Sequence, residues 1–159
     1  SGYSIIVNAI KTLGIENPQI IDIGTGGGFP STPLMLYDKS LSITQCDSNS
    51  KKCQFLLDMQ TKYLMNGKVE NKNIKELNKK YDIVMTRAFS SIEKFFKIAK
   101  NVLNDKSIIL FYKGSKDIIN QELEEIAKRN YFKNFKKINI YKIDDFDFER
   151  NILEIVWEK

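Results

Sequence analysis

Apolar positions along this chain follow two rhythms, and where one gives way to the other marks the elements. Ile5, Ile6, Ala9, Ile10 and Leu13 recur at helical spacing and predict an amphipathic helix over Tyr3–Leu13. Pro18 punctuates the entry to a continuous apolar run, Ile20 to Ile23, which reads as a buried strand. Ser42–Cys46 predicts a second strand ending in Asp47. Ser50–Met65 predicts a long helix with Cys53, Leu56, Leu57, Gln60, Tyr63 and Leu64 near one face. Asparagine and lysine dominate 67–80, where Val69 marks a short strand and Ile74–Leu77 one helical turn. Tyr81–Thr86 is a stronger strand signal, and Ile92, Phe95, Phe96, Ala99 and Leu103 mark the next helix. Ser107–Lys113 reads as a strand stopped by Gly114, and Asp117–Lys128 as a helix with Ile119, Leu123, Ile126 and Ala127 inward. Lys136–Ile143 and Asn151–Glu158 alternate like two antiparallel strands joined by the acidic segment Asp144–Glu149.

Strands alternating with helices argue an α/β fold of Rossmann-like class: a mostly parallel sheet flanked by helices, closed by a C-terminal antiparallel hairpin. The 159 residues fit a single domain, enough to bury about 70% of the unfolded surface. Ligands in such sheets sit beyond the C-terminal strand ends. Those ends are Gly24–Phe29, Asp47, the 71–75 region, Thr86–Phe89 and Lys113–Gly114.

The first of these ends carries candidate chemistry. Four glycines fall within five residues after Ile23, before Ser31 or Thr32 can cap a helix whose free N–H groups suit an anionic or polar group. A dinucleotide fingerprint needs glycine at 29 or 31, where Phe29 and Ser31 stand, and a P-loop needs a lysine where none occurs between Lys11 and Lys39. What remains, Asp-x-Gly-x-Gly-x-Gly over Asp22–Gly28, resembles the cofactor turn of S-adenosylmethionine-dependent methyltransferases; the alternative is a glycine-rich loop without ligand. Asp47 lies 23 residues after Gly24, where a carboxylate can accept from two ribose hydroxyls.

Composition narrows the rest. The chain has no histidine, so histidine triads and most transition-metal sites are excluded, and Cys46 and Cys53 are expected to be buried thiols rather than a metal or redox pair. No metal is expected. No apolar run is long enough to span a bilayer, so a cytoplasmic protein without membrane contact is expected. The net charge of +5 is uneven: residues 51–80 carry eight lysines, and 128–142 carry six basic residues and no acid. These surfaces read either as nucleic-acid contacts or as a solvated consequence of a lysine-rich composition.

Several segments, in order, resemble the RsmG (GidB) family of ribosomal RNA methyltransferases: Asp22–Pro30, then Asp47-Ser48-Asn49-Ser50-Lys51-Lys52 with Phe55-Leu56, then Thr86-Arg87-Ala88-Phe89, then Lys113-Gly114, then Glu149-Arg150-Asn151. The resemblance implies S-adenosylmethionine as cofactor and methylation of guanine N7 in small-subunit (16S) ribosomal RNA, with that RNA or a small-subunit precursor as partner and a monomeric enzyme. By position it places Gly24, Thr25, Gly26, Gly28 and Phe29 in the turn against the cofactor, Asp47 and Ser48 at the ribose, Ile74 and Lys75 at the adenine edge, and Arg87 facing the methyl-donor half. Arg87, Lys113 and Arg150 are the substrate-side candidates, and no acid or base is assigned, because N7 already presents a lone pair. Family members carry several tens of helical residues before the region where this chain begins, so residues 1–159 are expected to form the methyltransferase domain without that extension.

Arginine usage adds an independent clue. Lysine occurs 22 times and arginine three times, so Arg87 and Arg150 read either as places where a ligand needs a planar fork of donors or as structural partners of a carboxylate, while Arg129 reads as a partner for a helix C-terminus. Phe29 and Phe89 are weighed between stacking on a base and the core. Two alternatives share the fold: a small-molecule methyltransferase, marked by absence of salt-sensitive RNA binding, and a noncatalytic RNA-binding domain, marked by failure to bind the cofactor.

Overall fold

In a computed structural model, which describes residues 2–89, 91–143 and 147–159, the alternating pattern becomes one seven-stranded sheet. The strands are β1 (Ile20–Ile23), β2 (Ile43–Asp47), β3 (Lys68–Asn71), β4 (Tyr81–Thr86), β5 (Leu103–Lys113), β6 (Phe135–Lys142) and β7 (Asn151–Glu158), in the order β3-β2-β1-β4-β5-β7-β6. β1 to β5 pair in parallel, and β7 inserts antiparallel between β5 and β6. On one face α1 (Gly2–Leu13) and α2 (Ser31–Tyr37) pack Ile6, Ala9 and Met35 against Ile20, Ile43, Ile83 and Ile108. On the other, α4 (Ile92–Ala99) and α5 (Lys116–Ile126) pack Phe95, Phe96, Ile119 and Ile126 against Ile21, Val84, Ile109 and Ile155. This two-sided cover explains why β1, β4 and β7 are buried almost throughout.

Several boundaries differ from the expectation. Leu103 keeps helical spacing from Ala99, yet a 3-10 turn at Lys100–Val102 ends the helix and Leu103 opens β5. The helix α3 (Ser50–Lys62) buries Cys53, Leu56 and Gln60 and leaves Leu57 exposed beside that stripe, and it stops before Tyr63, so that Tyr63 and Leu64 lie past its end and are exposed. Ala127 lies past the end of α5 and is exposed. The acidic linker expected over 144–149 lies partly outside the described residues.

The turn after β1 is held from below by Asp22, which is fully buried. Its Oδ2 accepts from the Thr25 hydroxyl at 3.0 Å and from the Ser31 amide at 3.2 Å, while the Thr32 amide donates to the Gly28 carbonyl at 2.6 Å. Ser31 and Thr32 therefore do not cap α2: Pro30 occupies the cap position without a side-chain bond, and the first amides of the helix are spent inside the protein. The hydroxyls of Ser31 and Thr32 instead accept from Gln45 Nε2 at 2.9 and 2.8 Å, and Gln45 Oε1 accepts from Gln60 at 2.9 Å. This buried polar line joins α2, β2 and α3, where unmade bonds would be costly.

Burial pushes the Asp22 carboxyl up to about 7, against the hydrogen bonds from Ser31 and Thr25 and a weaker pull from Arg87. The folded chain thus holds a proton that the unfolded chain releases near its ordinary value of 3.8. Stability from this group is fully present below about pH 4, falls as the pH rises to about 7, and is level above that. Asp22→Asn keeps an oxygen acceptor and cannot ionise. Unfolding free energies measured by denaturant titration across that window are expected to fall in the parent by up to a few kcal/mol more than in Asp22→Asn; equal slopes would assign the dependence to other groups.

Candidate functional site

Three backbone features shape the turn above Asp22. Gly24, Gly26 and Gly28 take φ of +67°, +56° and +94°, a region that favours glycine. A Cβ on Gly24 would collide with the Ala88 methyl, so β1 and the exit of β4 meet closely there. Thr86 reinforces that contact, its hydroxyl donating to the Ile23 carbonyl at 3.0 Å and accepting from the Ala88 amide at 3.1 Å. A Cβ on Gly26 would meet no protein atom within 4 Å, so the turn is open on its outer side.

Asp47, half-buried at the end of β2, faces this turn. Its Oδ2 accepts from the Gly26 amide and its Oδ1 from the Asn49 amide, each at 2.9 Å. One lone pair on each oxygen is left, enough for a pair of hydroxyl donors. A cavity of about 180 Å³ lies here, lined by Gly24, Asp47 and Ser48 on the polar side and by Ile23, Ile74 and Phe89 on the apolar side. Cys46 also lines it, but burial pushes that thiol up to about 12, so it stays protonated and inert. Cys46 and Cys53 are both free and buried.

A second cavity, about 270 Å³, lies beyond the ends of β4 and β5 and is lined by Phe29, Arg87, Tyr112, Lys113, Arg150 and Asn151, among others. The Arg87 guanidinium sits 5.2 Å from the centre of the exposed Phe29 ring, and that of Arg150 sits 4.3 Å from the Phe148 ring. Neither arginine forms an ion pair among the described residues. Arg129 does: its Nη2 lies 2.6 Å from Glu93, which replaces the helix-end role expected for it. Lys113 is also paired, its ammonium 3.1 Å from Glu122 Oε1, with the two side chains only 12% and 14% exposed. The same Glu122 oxygen accepts from the Ile92 amide at 2.7 Å and so ties the end of β5 to the start of α4.

Glu149 and Asn151 serve the frame of this cavity. Asn151 Nδ2 donates to the Gly114 carbonyl at 2.6 Å and to Glu149 Oε2 at 3.0 Å, and that oxygen accepts from the Lys116 amide at 2.9 Å. The Lys116 and Asn151 bonds hold the Glu149 carboxyl below its ordinary range. Arg150, between them, is left exposed at the cavity wall.

The residues singled out from the sequence thus fall into two neighbouring groups. Gly24, Asp47, Ser48 and Ile74 line the smaller cavity, and Phe29, Arg87, Lys113 and Arg150 the larger. Thr25 points inward to Asp22, and Gly26 and Gly28 shape the turn. Lys75 lines neither cavity and borders instead a separate hollow near the starts of β4 and β5. Lys72, Asn73, Ala88 and Tyr112 line the cavities without having been singled out. Ala88 sits inside a quoted motif, whereas nothing in the local pattern marks Tyr112 or Glu122. Among the described residues no cluster of acids or cysteines suits a metal, and no helix is long and apolar enough to cross a membrane.

Solved structures share this architecture. TYW2 of M. jannaschii, determined in complex with AdoMet, superposes with a TM-score of 0.68 at 17% identity, covering 97% of this chain and 75% of that one. Sequence relatives are nearer. The ribosomal RNA small subunit methyltransferase G of Brachyspira hyodysenteriae is 39% identical over 138 residues, 86% of this chain and 66% of the relative. That of Mesomycoplasma hyopneumoniae is 33% identical over 127 residues, 79% of this chain and 62% of the relative. The chain spans just under two thirds of the length of these curated relatives. The model of the GidB family, described as rRNA small subunit methyltransferase G, matches residues 5–153, and the chain belongs to that family.

Proposed function

We propose that this chain is a single methyltransferase domain that methylates N7 of a guanine in small-subunit (16S) ribosomal RNA, using S-adenosylmethionine, as a cytoplasmic monomer. The observation that carries the reading is the junction of two unlike cavities at one glycine turn: a carboxylate-and-apolar slot on one side, a cationic pocket on the other. The residues present suit the cofactor. Asp47 offers two acceptors to a ribose diol, Ile23, Ile74 and Phe89 offer apolar walls to a flat ring, and the open side of Gly26 leaves room against the backbone. When bound, S-adenosylmethionine supplies an electrophilic methyl group.

The larger cavity suits the acceptor. Arg87, Lys113 and Arg150 present donors only, and the Tyr112 hydroxyl is buried without a partner among the described residues. Guanine shows two acceptors, N7 and O6, on its outer edge, whereas adenine shows a donor beside N7. A donor-lined cavity therefore favours guanine. The N7 lone pair needs no base, which accords with a cavity that offers none: burial raises the Tyr112 hydroxyl still further above its ordinary value. Catalysis then rests on placement and exclusion of water, terms worth about 7 kcal/mol or more in such reactions. Arg87 and Phe29 hold one wall and Arg150, set over the Phe148 ring, another, while the Glu122 bonds keep Lys113 and the start of α4 in register.

Two variants test the two cavities separately. Asp47→Ala removes both acceptors and is expected to weaken S-adenosylmethionine binding at least tenfold by calorimetry, with secondary structure retained; parental affinity would remove Asp47 from the cofactor site. Arg87→Lys keeps the charge and loses the planar fork. Methyl transfer to small-subunit RNA is expected to drop by more than tenfold while cofactor affinity and thermal stability stay near parental. An equally active Arg87→Lys protein would shift the substrate contact to Lys113 and Arg150.

A further inference from the structure

A hollow of about 770 Å³, larger than either cavity of the site, opens where β4 and β5 begin and β7 ends. It is bordered by five lysines, Lys75, Lys80, Lys97, Lys100 and Lys159, and one acid, Asp105. The chain as a whole balances 25 basic residues against 20 acidic ones, so this concentration of one sign is local. It is also invisible along the sequence: the five lysines come from four separate segments and lie mostly outside the two basic stretches at 51–80 and 128–142. Among the described residues, none of the five forms an ion pair.

Two of these ammonium groups are fixed in place. Lys80 Nζ donates to the Asn101 carbonyl at 3.0 Å, and Lys100 Nζ sits 5.6 Å from the centre of the Trp157 ring. Phe96 and Trp157 form the floor, but each is only 3% exposed, too covered to stack on a base. Of the three asparagines that also border it, Asn104 and Asn134 donate their amide N–H groups to Asp82 and to the Glu158 carbonyl, so the surface offers chiefly charge, which fits a phosphate backbone better than a base edge. The entry of β4 is one strand length, about 20 Å, from Arg87 at its exit, so a backbone held there cannot belong to the target nucleotide.

We propose that this lysine-lined hollow is a second RNA-binding surface, which holds backbone phosphates of the substrate remote from the methylated base. The proposal rests on the reading of the chain as an RNA methyltransferase. It assigns the hollow a sequence-independent anchoring role, by which affinity comes from one end of the inner strands and selection from the opposite end.

The test uses the full chain with Lys97→Glu/Lys100→Glu, and with Lys97→Gln/Lys100→Gln as the milder pair; neither lysine lies in the cofactor or guanine cavity. Binding to protein-free small-subunit RNA is measured over a salt series, with S-adenosylmethionine affinity measured alongside. The Glu pair is expected to bind RNA at least tenfold more weakly at low salt, with the Gln pair intermediate. The slope of log affinity against log salt should fall by about 1.4 to 1.8 for two lost phosphate contacts, and cofactor affinity should not change. Trp157, the only tryptophan in the chain, lies beneath Lys100, so RNA titration should change its emission in the parent and not in the Glu pair. RNA affinity and salt slope within twofold of parental would overturn the proposal. Weakening seen only on assembled subunits, with protein-free RNA bound normally, would overturn it in favour of an acidic protein partner. A parent that binds the cofactor but no RNA would overturn the underlying reading, a result separable from the first because it needs no variant.

Discussion

A carboxyl group sealed beneath a glycine turn sets the geometry on which the rest of this molecule depends. Asp22 is shut off from water, and one of its oxygens already serves the Thr25 hydroxyl and the Ser31 amide. Breaking either bond would leave a buried polar group unsatisfied, so the path of the chain from β1 into α2 is narrowly determined. That path brings Gly24 against Ala88 and turns the Gly26 amide toward Asp47. The ends of β1, β2 and β4 are thereby fixed relative to one another. Asp22 also takes up the Ser31 amide, and the Gly28 carbonyl the Thr32 amide, so the first donors of α2 are not free for an anion.

Two different physical demands are met on either side of that turn. The smaller cavity combines acceptors with apolar walls, and its only thiol is silenced by burial. The larger is ringed by cations held by different means: Arg87 and Arg150 against exposed phenylalanine rings, Lys113 against Glu122. Rings restrain a guanidinium without consuming its hydrogen bonds, so both forks remain available to a ligand. Lys113, with a carboxylate on its ammonium, is restrained at the expense of its charge. The three cations are therefore unequal in what they offer a ligand, in line with the separation of the two arginines from the many lysines of the chain.

Much of the fold could be read from periodicity, because nearly every strand and helix buries at least one regular face. The entries and exits of β1, β4 and β7 fall where the apolar runs place them. Leu103 fits both patterns, because spacing is the same for the last turn of a helix and the first residue of a strand, and the 3-10 turn before it decides for the strand. Tyr63 and Leu64 fit a helical face by count, but the helix ends at Lys62 and Leu64 takes a positive φ of 51°, while Leu57 falls just outside the buried stripe of Cys53, Leu56 and Gln60. In the site, glycines and Asp47 were legible because their geometry is local. Glu122 was not: along the chain it looks no different from Glu124 and Glu125 close by, and only its reach to Lys113 and Ile92 distinguishes it.

The two outer strands of the sheet carry a consequence of their own. β3 and β6 are the edges, and an edge strand offers unpaired backbone groups to any other chain. β3 is four residues long, with Lys68 exposed at its start, and β6 carries exposed Lys136, Lys137 and Lys142. A second copy approaching β6 edge to edge would bring rows of like charge face to face. The basic stretch at 128–142, whatever else it contacts, therefore acts as a guard against sheet-to-sheet aggregation in a protein whose inner strands are rich in isoleucine.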